Sequence, residues 1–335
     1  MAGAAVLRDR RIVVALRDPG EIRFFDSTGK YLFRAGRQGH GPGEFATVQS
    51  LEHLRGDTIL IVDPQLRRVS LFDPEGQLAG TLAIPLAPLP ILREAVSRLS
   101  NGELLTRDRP IFYPLSAYGE VRRDSFAIVG VSANGAVDTL LVTLGNETYQ
   151  TTTYEGSSGR SNRARLRFGL VTSFVTDGER IYIGANLAGG VQVHSGDGRL
   201  LMIIRTHAAR ERVRPEHIRR VSRENLARLE STRVPEEIKA GWRRNEASAK
   251  YSAEFGFYDR VLLGAKGTIW LERPSRFEGE AKQFVVHDST GRAVATASCA
   301  PGFLPFEVSP DEIIGLWRDD DGRNHVMLYR LRHAP

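Results

Sequence analysis

Arg34-Ala-Gly-Arg-Gln-Gly-His-Gly-Pro-Gly-Glu-Phe45 places four glycines and a proline between Gly36 and Gly43, with apolar runs on both sides. It offers positions for positive φ and a missing N–H but no apolar period, so it reads as an irregular link. The units on either side take their phase from it.

Working outward, one pattern returns: a short β run, a tight turn, an apolar run ending near an aromatic or Asp, then a small-Gly turn. It reads Glu21-Ile-Arg-Phe-Phe-Asp-Ser-Thr-Gly29 and Arg68-Val-Ser-Leu-Phe-Asp-Pro-Glu-Gly76. It continues as Ala127-Ile-Val-Gly-Val-Ser-Ala-Asn-Gly135, Val191-Gln-Val-His-Ser-Gly-Asp-Gly198 and Gln283-Phe-Val-Val-His-Asp-Ser-Thr-Gly291. A sixth copy, His325-Val-Met-Leu-Tyr-Arg330, has no glycine turn after it. Shorter runs precede these at 11–16, 58–62, 103–106, 180–184, 268–271 and 313–317, with further apolar runs such as 50–54, 171–176 and 260–263 before them. β-Branched and aromatic residues at a period near two, bounded by Gly, Asp and Asn, are strand and hairpin signals. Units of four strands repeated six times predict an all-β, six-bladed β-propeller. The turn glycines are spaced by 47, 59, 63 and 93 residues, so the later blades carry insertions.

Gly36-Arg-x-Gly-x-Gly-Pro-Gly-Glu-Phe45, followed by Asp63-x-x-x-x-Arg68-Val-x-x-Phe-Asp73-x-x-Gly76, resembles the NHL-type repeat. More closely it is similar to bacterial six-bladed β-propeller proteins, many of them exported. The likeness is sharpest over 11–82 and weaker over 170–205 and 257–331. It implies a fold and leaves activity open, because propellers host binding and catalysis alike.

If the strands of a blade are lettered A to D from the axis outward, A–B and C–D turns share one face and B–C and D–A links the other. The A–B and C–D turns here are minimal. The long links are B–C (108–124 and 273–281) or D–A (144–169 and 205–256), and the Gly-rich stretch is D–A too. Long links gathered on one face mark it as the interaction surface, since neutral drift would decorate both. The domain expectation is therefore one propeller over 1–335 with insertions 108–124, 144–169 and 206–256. The last insertion reads as helical, Pro215 opening one helix and Pro235 a second through Trp242, with acids in its first turn and Arg243-Arg244 late.

Net charge is +6, and 205–244 alone supplies it with 12 basic against 6 acidic residues. Arg160, Arg163, Arg165 and Arg167 add a second basic cluster. Arg with interleaved aromatics (Arg109, Tyr113, Arg122, Tyr149, Tyr154) suits phosphate and stacking contacts. It suits an acidic glycan or a peptide equally, and with 41 of the 46 basic residues being Arg, nucleic acid is the weaker reading. One cysteine, Cys299, excludes a disulfide framework and any multi-cysteine zinc site. The glycine run lacks the Lys-Ser/Thr ending of a phosphate loop, and neither a Gly-x-Ser-x-Gly elbow nor a His-Glu-x-x-His pair occurs. His194 and His287 hold equivalent repeat positions and read as packing residues.

The propeller resemblance implies a place for a divalent ion, Ca²⁺ being the candidate, at the central pore. The inner-strand carboxylates Glu52, Glu94, Asp259 and Glu307 are its weak candidate ligands; no cofactor is expected otherwise. Candidate ligand-binding residues are Arg37, His40, Arg109, Tyr113, Arg122, Arg163, Arg165, Arg167 and Asp259. The leading expectation is a non-catalytic, monomeric binder of a protein, peptide or acidic glycan. The alternative is a metal-dependent hydrolase or lyase at the pore. Residues 2–7 serve as the innermost strand of blade one and blade six ends at its third strand, so either that blade has three strands or an upstream segment with a strand and an export signal is missing; the expectation is the second, which makes the protein extracytoplasmic.

Overall fold

The computed structural model describes all residues except 90, 111–117, 187–189, 207–208, 278, 320–321 and 332–335. Six antiparallel sheets follow one another along the chain. Blade one is β1 (Gly3–Val6), β2 (Ile12–Leu16), β3 (Glu21–Phe25) and β4 (Tyr31–Ala35). A pair of two-residue strands, β5 (Arg37–Gln38) and β6 (Glu44–Phe45), lies in the link to blade two. Blade two is β7 (Ser50–His53), β8 (Ile59–Asp63), β9 (Arg68–Phe72) and β10 (Leu78–Ala83). Blade three has five strands, β11 (Ile91–Arg98), β12 (Leu104–Pro110), β13 (Val121–Val131), β14 (Val137–Glu155) and β15 (Ser158–Arg165). Blade four is β16 (Ser173–Thr176), β17 (Arg180–Gly184), β18 (Gly190–Ser195) and β19 (Leu200–Arg205). Helices α1 (Pro215–Ser231) and α2 (Glu236–Ala247) follow. Blade five is β20 (Arg260–Leu263), β21 (Ile269–Glu272), β22 (Lys282–His287) and β23 (Ala293–Cys299). Blade six is β24 (Phe303–Val308), β25 (Glu312–Arg318) and β26 (Asn324–Arg330), a three-stranded sheet.

The six copies read from the sequence are β3, β9, β13, β18, β22 and β26, the third strand of every blade. The five turn glycines all adopt left-handed backbone, φ between 78° and 88° at Gly29, Gly76, Gly135, Gly198 and Gly291, which a side chain would disfavour. Pairing between strands satisfies the backbone, and packing between blades buries the side chains. Ala5, Phe24, Ile59 and Phe72 fill the joint of blades one and two; Leu60, Val69, Leu104 and Val129 fill that of two and three. Leu105, Ile128, Ile181 and Ile183 join three to four, Val191, Val193, Val261 and Ile269 four to five, and Phe284, Val286, Phe303 and Ile313 five to six. Ala4, Ile12, Val14 and Ile314 close six onto one, where the Arg10 guanidinium also meets Glu312 (Nη2–Oε1 2.6 Å).

Two segments depart from the expected links. The outer strand of blade three does not end near Leu144: β14 continues to Glu155 and returns as β15, so 144–169 is largely strand. The Gly-rich stretch is also not wholly irregular, because Arg37 and Gln38 pair in parallel with Glu44 and Phe45. Two residues of the resemblance motif hold it. Asp63, fully buried, accepts the N–H groups of Ala46 (2.8 Å), Thr47 (3.3 Å) and Leu66 (3.0 Å). Arg68 donates to the carbonyls of His40 (3.1 Å), Gly41 (2.6 Å) and Glu44. Phe45 is thereby seated against Phe72, ring centroids 5.8 Å apart.

Asp63→Ala leaves three backbone donors without their buried acceptor and is expected to destabilise the protein by about 3 kcal/mol in urea unfolding. A loss below about 0.5 kcal/mol would show that the link does not depend on this carboxylate.

Candidate ligand-binding site

Blade three is extended on the face that carries the insertions. β13 and β14 stay paired out to Val121 and Tyr149, past a register shift between Arg123 and Ser125. The tract Thr151-Thr-Thr153 suits a strand because β-branched side chains are stiff at χ1, and it pairs with Asn162, Ser161 and Arg160 of β15. The returning chain is clasped at Glu147, whose N–H donates to Leu170 O (2.9 Å), whose carbonyl accepts Leu166 N–H (2.9 Å) and whose carboxylate accepts Leu170 N–H (2.7 Å).

The helical insertion crosses back onto this hairpin. Its two helices are locked by Arg243, which donates to Glu230 (2.7 and 3.0 Å) and Glu236 (2.6 Å). Helix α2 then approaches the hairpin tip so closely that a Cβ on Gly241 would lie 2.9 Å from Gly156 N. Asn245 completes the seam with both ends of its amide, accepting from Tyr154 N (2.7 Å) and donating to Tyr154 O (3.0 Å). Arg244 stacks over the Tyr154 ring, its guanidinium carbon 4.5 Å from the centroid. Deeper in, Arg167 grips Glu246 with two nitrogens (2.5 and 2.6 Å) and donates to Tyr251 Oη (2.7 Å). Burial raises the Glu246 pKa, but the Arg167 bonds and charge outweigh it and hold the carboxylate below its usual range.

Between hairpin and helices lies a cavity of ≈ 590 Å³. Its walls combine hydroxyls and amides (Thr151, Thr152, Thr153, Thr232, Ser248, Asn225, Asn245), aromatic bodies (Tyr149, Trp242) and the cations Arg165, Arg167 and Arg228. Arg165 stands out. It is exposed, takes part in no salt bridge among the described residues, and sends its field as far as Asp259.

Of the residues singled out in the sequence, Arg165 and Arg167 are brought together here, Arg167 as a brace. Arg163, two residues away, is turned to Asp124 and is mostly covered. Arg109 is tied with Arg107 to Glu94, Arg122 lies 3.9 Å from Glu120, and Arg37 pairs with Glu44 (2.7 Å) in the blade-one link beside an exposed His40. Tyr113 lies outside the described residues. Asp259 heads β20 and accepts Ser275 N–H (3.1 Å), burial pushing its carboxyl up. His194 packs in its blade, 8% exposed, with Nδ1 2.9 Å from Gly198 O. The sequence reading missed Asn245 and Glu246, whose partners lie 91 and 79 positions away, beyond any local pattern.

Near the axis, on the opposite face, a second cavity of ≈ 440 Å³ is lined by Glu52, His53, Arg98, Asp177 and Glu179. Burial, with the nearby Glu307 charge, pushes the Glu52 carboxyl up to about 7. His53 lies between Glu307 (Nδ1–Oε 3.1 Å) and Asp57 (Nε2–Oδ1 3.0 Å). Burial lowers the imidazole pKa, but the two carboxylates win and hold it above its ordinary value. Glu94 has its own arginines; burial raises it, and Arg109 and Arg107 outweigh that and hold it low. The four proposed ion ligands therefore divide between surroundings, Glu52 and Glu307 together, Glu94 and Asp259 each with other partners. Among the described residues no group of three or more His, Cys, Asp or Glu is placed to hold a metal ion.

Residues 6–105 match a family described as a 6-bladed beta-propeller. Among solved structures, a DUF4221-family protein from Bacteroides vulgatus superposes with a TM-score of 0.53 at 8% identity, covering 99% of this chain and 94% of that one. A protein of Bacteroides fragilis named as a candidate exported protein gives 0.48 at 12%, with 94% and 78% covered. A gluconolactonase from Xanthomonas campestris gives 0.42 at 11%, with 98% and 86% covered. At such identity the likeness is one of fold alone. No curated protein matches the chain by sequence. No described helix is long and apolar enough to cross a membrane.

The Glu52 shift has a sign. A carboxyl whose folded pKa is raised from 4.5 to about 7 keeps its proton in the native state, so stability falls as pH climbs through that window. Glu52→Gln is therefore expected to match wild type at pH 4 and to exceed it at pH 8 by on the order of 1–3 kcal/mol. Parallel unfolding curves at both pH values would contradict the assignment.

Proposed function

We propose that this chain is a binding protein whose insertion-bearing face takes an acidic glycan into the cavity between the blade-three hairpin and the helical pair. The observation that carries the reading is Arg165: an exposed guanidinium without a salt bridge among the described residues, in a cavity whose walls also hold hydroxyls, amides, Trp242 and the Arg167–Glu246 pair. Its neighbours Arg163 and Arg167 carry carboxylate partners, so Arg165 is the one left to receive a ligand carboxylate. A guanidinium recognises a carboxylate bidentately, amides and hydroxyls serve sugar hydroxyls, and an indole face stacks on the C–H face of a pyranose. Acidic polysaccharide is met outside the cytoplasm, the compartment that the propeller resemblance implies.

A second reading, acid–base chemistry at the pore, is favoured by one observation: a carboxyl that titrates near neutrality beside a His held between two carboxylates. In such a hydrolase or lyase, Glu52 is the proton donor and Glu307, oriented by His53, the acceptor. Glu52→Gln then abolishes turnover and leaves binding on the other face unchanged.

The test is calorimetry with trigalacturonate and, as a neutral control, maltotriose. Trigalacturonate is expected to bind and maltotriose to bind at least tenfold more weakly, with Arg165→Ala and Trp242→Ala each costing about tenfold, or about 1.4 kcal/mol. Arg122→Ala, outside the cavity, is the unaffected control. Equal binding of both sugars, or full affinity in Arg165→Ala, would overturn the reading.

A further inference from the structure

A third cavity, ≈ 930 Å³, runs between the outer strand of blade four and blade five, away from the glycan cavity. Its floor is apolar, formed by Leu271, Val285 and Phe257 among others. Two of its lining residues hold a buried side-chain atom with no hydrogen-bond partner among the described residues, His287 Nδ1 and Thr206 Oγ1. His287 is 3% exposed, so the unpaired nitrogen is a deliberate expense or a waiting donor.

The equivalent residue of blade four shows the difference. His194 meets the carbonyl of its own turn glycine through Nδ1 (2.9 Å) and Gln192 through Nε2 (3.3 Å), and both ring nitrogens are occupied. His287 sits at the same step of the repeat, paired across the strand with Ala293 and facing the cavity, with Nδ1 unoccupied. Two cations join it. The turn at Gly291 packs on Ile204, where an added Cβ would fall 2.9 Å from Ile204 Cγ1, and the residues that follow these two, Arg292 and Arg205, line the cavity. Both arginines are exposed, line the cavity and take part in no salt bridge among the described residues. The carboxylates on the cavity wall are already engaged: Glu211 with Arg276, and Glu280 with the Arg276 N–H (3.1 Å). Burial holds His287 below its ordinary pKa against the neighbouring Asp288 charge, so at neutral pH it is an uncharged donor and not a third cation.

We infer that this cavity is a second binding site, independent of the glycan site, for a monocarboxylate bearing a short apolar chain. Arg205 and Arg292 supply the charge, the Nδ1–H of His287 and the hydroxyl of Thr206 donate to the carboxylate oxygens, and the chain lies along Leu271, Val285 and Phe257. An anion bound among these residues offers His287 Nδ1 and Thr206 Oγ1 the acceptor that they lack among the described residues.

Calorimetry on the full chain with hexanoate, hexanol and inorganic phosphate tests this. Hexanoate is expected to bind at one site, with hexanol and phosphate each at least tenfold weaker, because one lacks the charge and the other the chain. Arg205→Ala/Arg292→Ala is expected to lose at least tenfold. His287→Leu is expected to lose binding and His287→Asn, which keeps a donor near the Nδ1 position, to restore it, a rescue that a merely structural role would not produce. Arg165→Ala leaves hexanoate affinity unchanged, which separates this site from the glycan site. Equal affinity for hexanol, phosphate binding as tightly as hexanoate, or full affinity in either the double arginine variant or His287→Leu would overturn the inference.

Discussion

The joint between neighbouring blades is the constraint from which the rest of the structure follows. A four-stranded antiparallel sheet satisfies its backbone internally but leaves two apolar faces, and each blade here buries those faces only against the next. Every joint holds a cluster of buried apolar side chains, including the closing one, where Ala4, Ile12 and Val14 meet Ile314. Because each face must match the next blade, the strand cores are fixed, and variation is pushed into the links. Short turns on one face and long links on the other are the outcome, and the two faces acquire different chemistry.

That division explains what was legible in the sequence. The third strands and their turn glycines were readable because period-two alternation and a left-handed turn are local properties. Helices α1 and α2 were readable from Pro215, Pro235 and their charge bias. The long arm of blade three was not: its Thr-rich, polar segment shows no apolar alternation, and its strand is completed by pairing with β15. The site was half legible. Arg165 and Arg167 stood out as basic residues, but that the second is a brace, while the first has no salt bridge among the described residues, depends on Glu246, 79 positions on from Arg167. Likewise, Glu52 and Glu307 could be named as inner-strand carboxylates, while the His53 bridge spans 254 positions.

The two faces use charge in opposite ways. On the insertion face, nearly every cation near the cavity is paired into scaffolding, which fixes the hairpin and helices against each other and leaves Arg165 to a ligand. Such pre-organisation lowers the ordering cost that binding must overcome. On the turn face, burial, with the Glu307 charge second, pushes the Glu52 carboxyl up. Salt-bridge counting alone would have assigned the basic insertion to solvation. The geometry shows it instead as a clamp, with Asn245 and Arg244 holding the hairpin tip and Glu246 held by Arg167, just past the returning strand.

Hydrogen–deuterium exchange of the whole protein, with and without trigalacturonate, tests the central claim most directly, because it reports which face a ligand protects. The account predicts slowed exchange at 148–153 and along the second half of α2, with no change at 50–58. Protection confined to 50–58 and 97–100, around Glu52 and His53, would contradict it and place the working site at the pore.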